Sequence, residues 1–152
     1  MGRGRRWTDG EGVLRVDGAS GADGASGSGG SDGSGGSDGV PVPLEIAASY
    51  RARTRGLLGR DGIAGALLLT PAGSVHTFGM RFAIDVAYLD RDLRVIAVVT
   101  MAPGRLGLPR LRSRHVLEAE AGAMAAWGLR VGSRVSVAGP SHPTLGGGPA
   151  RR

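Results

Sequence analysis

Apolar and polar residues alternate with a period of two along several short stretches of this chain. Val42, Leu44, Ile46 and Ala48 are interleaved with Pro43, Glu45 and Ala47, the pattern of a half-buried strand, because successive side chains of a strand point to opposite faces. Residues 65–70 and 75–82 predict two more strands, joined into a hairpin by Pro71-Ala72-Gly73-Ser74, a turn by composition. Residues 84–89 and 93–100 repeat the arrangement across Asp90-Arg91-Asp92 and predict a second hairpin. Residues 115–120 and 134–138 supply the last strands.

Helical signals are brief. Residues 50–58 carry Ala52, Leu57 and Leu58 on an Arg-rich background and stop at Gly59; residues 122–127 place Ala123 and Trp127 four apart on one face, with Gly128 as the stop. That spacing predicts Trp127 as the core residue of the second helix. Pro103, Gly104, Gly107 and Pro109 interrupt any ladder over residues 101–113, which therefore read as a long loop. Many short strands with one or two short helices predict a mainly β fold, a small single-domain barrel or sandwich of short antiparallel strands. A parallel α/β topology would need longer crossover helices.

The pattern also bounds the domain. Residues 17–39 read DGASGADGASGSGGSDGSGGSDG, with no large apolar side chain to bury, and predict a disordered linker. The chain accordingly divides into an N-terminal arm (1–16), the linker (17–39), a β domain (42–138) and a disordered tail (139–152). Within the arm, Gly12-Val13-Leu14-Arg15-Val16 alternates like a short strand able to dock on the domain as an edge. Met1 to Arg6 is basic, but Trp7-Thr8-Asp9-Gly10-Glu11-Gly12 follows in place of an apolar signal core, so a cytoplasmic location is expected. No apolar run approaches the ~20 residues needed for a membrane span.

Charge and composition narrow the chemistry. Cysteine is absent, which excludes disulfides, thiolate zinc sites and Cys nucleophiles. All nineteen basic residues are Arg, and the net charge is +6. Residues 40–138 hold thirteen Arg against seven acids, while residues 1–39 hold four Arg against six acids. The domain itself is basic, a field that favours anionic partners.

The segment Arg53-Thr54-Arg55-Gly56-Leu57-Leu58-Gly59-Arg60 is similar to the R-x-x-G-L-[ML]-x-R signature of the bacterial domain of unknown function 192 (DUF192) family. Three later blocks follow in the family's order. Residues 75–86 (VHTFGMRFAIDV) resemble its F-x-M-[KR] to I-D block, Pro103-Gly104-Arg105 resembles its Pro-containing loop, and residues 116–122 (VLEAEAG) resemble its V-L-E-x-x-A-G block. The resemblance spans about residues 44–137 and implies a small mainly β fold. It assigns no reaction and no catalytic set. The chain departs from a common form of the motif at Gly79, where relatives carry Trp, and in lacking the Asn-Thr stretch after the basic residue.

Four residues in these blocks are candidates for a ligand or anion site: His76, Arg81, Asp85 and Glu118. Unbroken alternation over residues 76–82 predicts His76, Phe78, Met80 and Phe82 on the core face and Thr77, Gly79 and Arg81 on the other. His76 then reads as a half-buried, hydrogen-bonded core histidine, with a ligand or proton-transfer role as the alternative. Arg81 and Asp85 lie about 13 Å apart along a straight strand. A bend at Phe82-Ala83 would let Arg81 pair with Asp85 or Glu118; otherwise its guanidinium stays free for a carboxylate or phosphate.

Arg105, Arg110, Arg112 and Arg114 form the densest basic stretch. In an extended segment Arg110, Arg112 and Arg114 would share one face and grip phosphates, but the loop has no aromatic residue to stack on bases. A solvated basic loop is the simpler reading, with weak nucleic-acid binding as a secondary alternative. No metal site is expected, since there is no His-x-x-x-His, no Cys and no calcium-type acidic loop. No cofactor signature is present either: Gly146-Gly147-Gly148 opens no helix and no Lys follows. Ser74, Thr77 and Ser113 neighbour His76 or His115 in sequence, but no G-x-S-x-G elbow accompanies them. The expectation is a non-catalytic module that binds an anionic small molecule or a protein partner through a pocket around His76, Arg81, Asp85 and Glu118. The alternative is an enzyme of unassigned class using the same pocket.

Overall fold

A computed structural model describes residues 5–17 and 39–139. The linker expected over 17–39 and the tail expected over 139–152 lie outside these residues, apart from Asp17, Gly39 and Gly139. The elements run β1 (Gly10–Asp17), β2 (Val42–Ala47), α1 (Tyr50–Arg55), β3 (Ala66–Leu69), β4 (Ile84–Leu89), β5 (Val95–Met101), β6 (His115–Glu120), α2 (Ala123–Ala126) and β7 (Arg134–Ala138). The seven strands form one sheet in the order β5-β4-β6-β3-β2-β1-β7, curled into a half-barrel with two short helices. The fold is mainly β, as the alternation predicts.

The curl brings the two edge strands together at one end. Arg94 bridges Arg134, Val95 N–H donates to Ser133 O at 2.8 Å, and Gly132 N–H donates to Val95 O at 2.8 Å. One face of the sheet takes side chains from every strand, among them Leu14, Leu44, Leu68, Ala87, Val95, Leu117 and Val135. This is the interior of the curl. The other face carries Leu67, Val86, Tyr88 and Val116 and is covered by Leu57, Ile63, Val75 and Met80 from the connecting segments. Strands β3 and β4 are buried at every position, and that two-sided burial is why they read as unbroken apolar runs.

The second hairpin forms as expected: β4 and β5 pair antiparallel from Ile84↔Met101 to Leu89↔Val95, with a register shift between Tyr88 and Leu89. The first does not. β3 pairs parallel with β2 through the α1 crossover and antiparallel with β6, while residues 75–82 form no strand. Thr77 is fully buried, its Oγ1 donates to Ala102 O at 2.6 Å, and Met80 N–H returns to Thr77 O at 3.2 Å. Gly79 sits at φ +75°, a conformation favoured by Gly that turns the chain where a strand would run straight.

Two further expectations change. β1 lies between β2 and β7 with partners on both sides and so is interior to the sheet rather than an edge. Leu14 and Val16, at 0% and 2% exposure, belong to the core. In α2 the buried residue is Met124, whereas Trp127 is half-buried and packs against the core from outside it, because the helix is only four residues long and Trp127 is its C-cap. No helix among the described residues is long and apolar enough to cross a membrane.

Candidate functional site

β6 runs between β3 and β4, with Glu118 opposite Leu67 on one side and Val86 on the other. Alternation along β6 puts Glu118 on the same face as Val116, inside the apolar layer under the connecting segments. Glu118 is 4% exposed, and among the described residues nothing hydrogen-bonds or ion-pairs with its carboxyl. Desolvation pushes its pKa up from an ordinary 4.5 to about 7, because the charged form loses water and gains no compensating partner.

The carboxyl lines a cavity of about 90 Å³ walled by Arg53, Thr54, Arg55, Ser74, His76 and Met80, with the turn at Gly56 alongside. Several local devices shape it. Ser49 Oγ accepts from Ala52 N–H at 3.1 Å and caps α1, while Asp9 Oδ1 accepts from Ala48 and Ser49 N–H at 2.6 and 2.7 Å. Gly56, at φ 44°, ends the helix and turns the chain over the cavity. Arg53 donates to Pro71 O at 2.7 Å, tying α1 to the segment after β3. No carboxylate among the described residues pairs with Arg53 or Arg55; the two ion pairs are Arg60 with Glu45 and Arg81 with Asp61.

Of the four candidates, His76 and Glu118 share this cavity, whereas Arg81 and Asp85 lie elsewhere. His76 is exposed at the rim and stacks on Phe78 at 5.3 Å between ring centroids; Phe78 is itself 50% exposed. The core placement expected for both is therefore corrected. The turn at Gly79 inverts the alternation and buries Thr77 in their stead. Arg81 reaches Asp61 at 3.0 Å, with both side chains well exposed, so it pairs with neither Asp85 nor Glu118.

Asp85 is 4% exposed and fully engaged. Its Oδ1 accepts from Thr100 Oγ1 at 2.7 Å, and its Oδ2 accepts from Gly122 N–H at 2.9 Å and Met124 N–H at 3.2 Å. These contacts hold the start of α2. Asp85 lies opposite Ala119, on the face of the sheet away from Glu118. A strand register separates the two acids more firmly than distance does.

The basic loop also departs from expectation. Residues 110–113 form a turn closed by Ser113 N–H to Arg110 O at 3.0 Å, so Arg110, Arg112 and Arg114 do not line up on one extended face. Arg110 lies over the Tyr88 ring at 5.3 Å, and Arg114 donates to Leu111 O and Ser113 O at 3.1 and 3.2 Å. Among the described residues no three His, Asp or Glu side chains converge as metal ligands.

Arg53 and Arg55 are cavity-lining residues that sequence reasoning passed over. Their signal was the Arg53 to Arg60 block, which pattern alone reads as a short helix and its cap. Only the α1 crossover, laid against the Ser74 to Met80 turn, makes that block the wall of a cavity.

Comparison with known proteins places these features in a family. The DUF192 family (Uncharacterized ACR) matches residues 34–137. A UPF0127 protein of Pyrococcus horikoshii is 32% identical over 84 residues, covering 52% of this chain and 73% of the relative. A UPF0127 protein of Pyrococcus abyssi is 28% identical over 97 residues, covering 60% and 83%. Among solved structures, a Sinorhizobium meliloti protein described provisionally as a transcription regulator superposes with a TM-score of 0.64 at 17% identity, covering 88% of this chain and 98% of its own. A protein of unknown function from Novosphingobium aromaticivorans gives 0.61 at 18% identity, covering 82% and 83%. At these identities the structural likeness establishes the fold alone.

Proposed function

This chain belongs to the DUF192 family, and from the geometry of its cavity we propose that the domain binds a small anionic group, the carboxylate or phosphate end of a small molecule, at Glu118. The observation that carries this reading is the carboxyl of a buried residue, without a partner among the described residues, that opens on a cavity whose wall holds Arg53, Arg55 and His76. A protonated carboxyl donates a hydrogen bond to an anion, and the two guanidiniums supply charge. A cavity of about 90 Å³ takes a head group and leaves the body of the ligand at the rim. The basic domain steers anions toward it.

Binding by this route requires Glu118 to be neutral. The charged or titratable groups around it are Arg53, Arg55 and His76 at the cavity and Tyr88, whose pKa is raised by burial and, in smaller part, by Glu118 itself. Affinity for a small carboxylate or phosphate, read by titration calorimetry, should fall by up to about tenfold for each pH unit above 7. Glu118→Gln should keep the binding and abolish the pH dependence, and Arg53→Gln with Arg55→Gln should weaken it at least tenfold. Affinity that rises with pH would identify a cation site and overturn the reading, as would an unchanged Arg53→Gln/Arg55→Gln variant.

A carboxyl titrating near neutrality also supports a catalytic reading, in which Glu118 transfers a proton to or from a substrate at the rim. Turnover of ester, phosphate or glycoside substrates that vanishes in both Glu118→Gln and His76→Ala would favour that alternative.

A further inference from the structure

The segment from Arg105 to Arg114 pairs with the 75–77 segment that borders the Glu118 cavity, Leu106 opposite His76, and presents three leucines to solvent: Leu106 is 71% exposed, Leu108 74% and Leu111 93%. Single exposed leucines are ordinary. Three within six residues, in a backbone this firmly anchored, are not accounted for by the fold. Arg105 N–H donates to Thr77 Oγ1 at 2.8 Å, Gly107 N–H to Val75 O at 2.8 Å and Arg110 N–H to Gly73 O at 2.8 Å. Gly107 passes so near Tyr88 that a Cβ there would stand 2.7 Å from the phenol oxygen. The loop is pinned at its base, and its leucines are held outward. Arg105, Arg110, Arg112 and Arg114 lie in the same segment, all exposed. Asp90 and Asp92 lie beside Leu111, together with Arg91, Arg112 and Arg114.

We propose that residues 105–114 form a surface that rests on anionic lipid bilayers, with Leu106, Leu108 and Leu111 entering the interface and the interleaved arginines meeting lipid phosphates. Leucines this exposed, in open concavities that also hold Arg105, Arg110, Arg112 and Arg114, suit a soft apolar medium beneath anionic head groups. Leucines gain nothing from a nucleic-acid backbone. Apolar insertion and basic side chains together are the combination that holds a domain on an anionic membrane surface.

The test uses the full chain and sedimentation with phosphatidylcholine vesicles, pure or mixed with phosphatidylglycerol. Binding is expected on the mixed vesicles and should weaken as salt is raised. Leu106→Ser/Leu108→Ser/Leu111→Ser should lower the partition coefficient at least tenfold, and each of Arg110→Gln and Arg112→Gln about fivefold. Thermal denaturation of each variant separates lost binding from lost folding, Arg110→Gln included, since Arg110 also lies over the Tyr88 ring. Leu111→Trp should emit to the blue on adding mixed vesicles. Absence of sedimentation at low salt, binding undiminished in the triple leucine variant, or emission unmoved by lipid would each overturn the proposal. The second outcome would leave only the diffuse attraction of a basic chain, of the kind a nucleic-acid duplex would compete away.

Discussion

Asp85 and Glu118 are equally buried, at 4% exposure, and sit on neighbouring strands one register step apart. They have opposite fates. Asp85 points to the face that carries α2 and accepts three hydrogen bonds, two of them from backbone N–H groups. Glu118 points to the face that carries the α1 crossover and accepts none from the described residues, so desolvation alone sets its pKa at about 7. Burial of a charge is costly unless the charge is paired. The paired acid is thus part of the scaffold, whereas the other, without a partner among the described residues, costs stability when it is charged.

Removing the engaged acid should have the largest effect. Asp85→Ala strands the Thr100 hydroxyl and the N–H groups of Gly122 and Met124, and should cost about 3–5 kcal/mol in urea denaturation. If the loss is under about 1 kcal/mol, Asp85 does not hold α2 and the contrast fails.

Glu118→Gln should act in the opposite direction. Because the folded pKa of about 7 lies above the ordinary 4.5, the folded protein keeps a proton that the unfolded chain releases between those values. Stability therefore falls as pH rises from 4.5 to 7 and stays low above. The variant should gain about 3 kcal/mol at pH 8 and almost nothing at pH 4.5. Equal stability of the two proteins at pH 8 would mean that the carboxyl is solvated or paired.

Arg81→Met should have the smallest effect. Its pair with Asp61 is exposed on both sides, with 61% and 85% of the side chains accessible, and such pairs contribute about 0–1 kcal/mol. A shift beyond that range in thermal denaturation would restore Arg81 as a structural residue and make the exposed pair, rather than the Asp85 cluster, the one to explain.

Much of this molecule was legible in the chain. The alternation of Val42 to Ala48, the Asp90-Arg91-Asp92 turn and the apolar runs of β4 and β5 determined a mainly β class and one correct hairpin, because each depends on residues near one another in sequence. The resemblance of four ordered blocks pointed to the family that the comparison then established. His76 and Glu118 were both singled out, and both line the cavity.

What the sequence left open depends on pairing between distant segments. Period-two alternation sorts the residues of one strand into two faces but does not say which strand lies alongside, nor which face of the sheet each set joins. In β3, β4 and β6 even that signal is weak, since both faces are buried and apolar. A polar residue in such a run can face either way. Only the register of β6 against β4 sent Asp85 to α2 and Glu118 to the cavity. Only the parallel docking of β3 on β2 drew α1 across the sheet and set Arg53 and Arg55 in the wall of the cavity that Glu118 also lines.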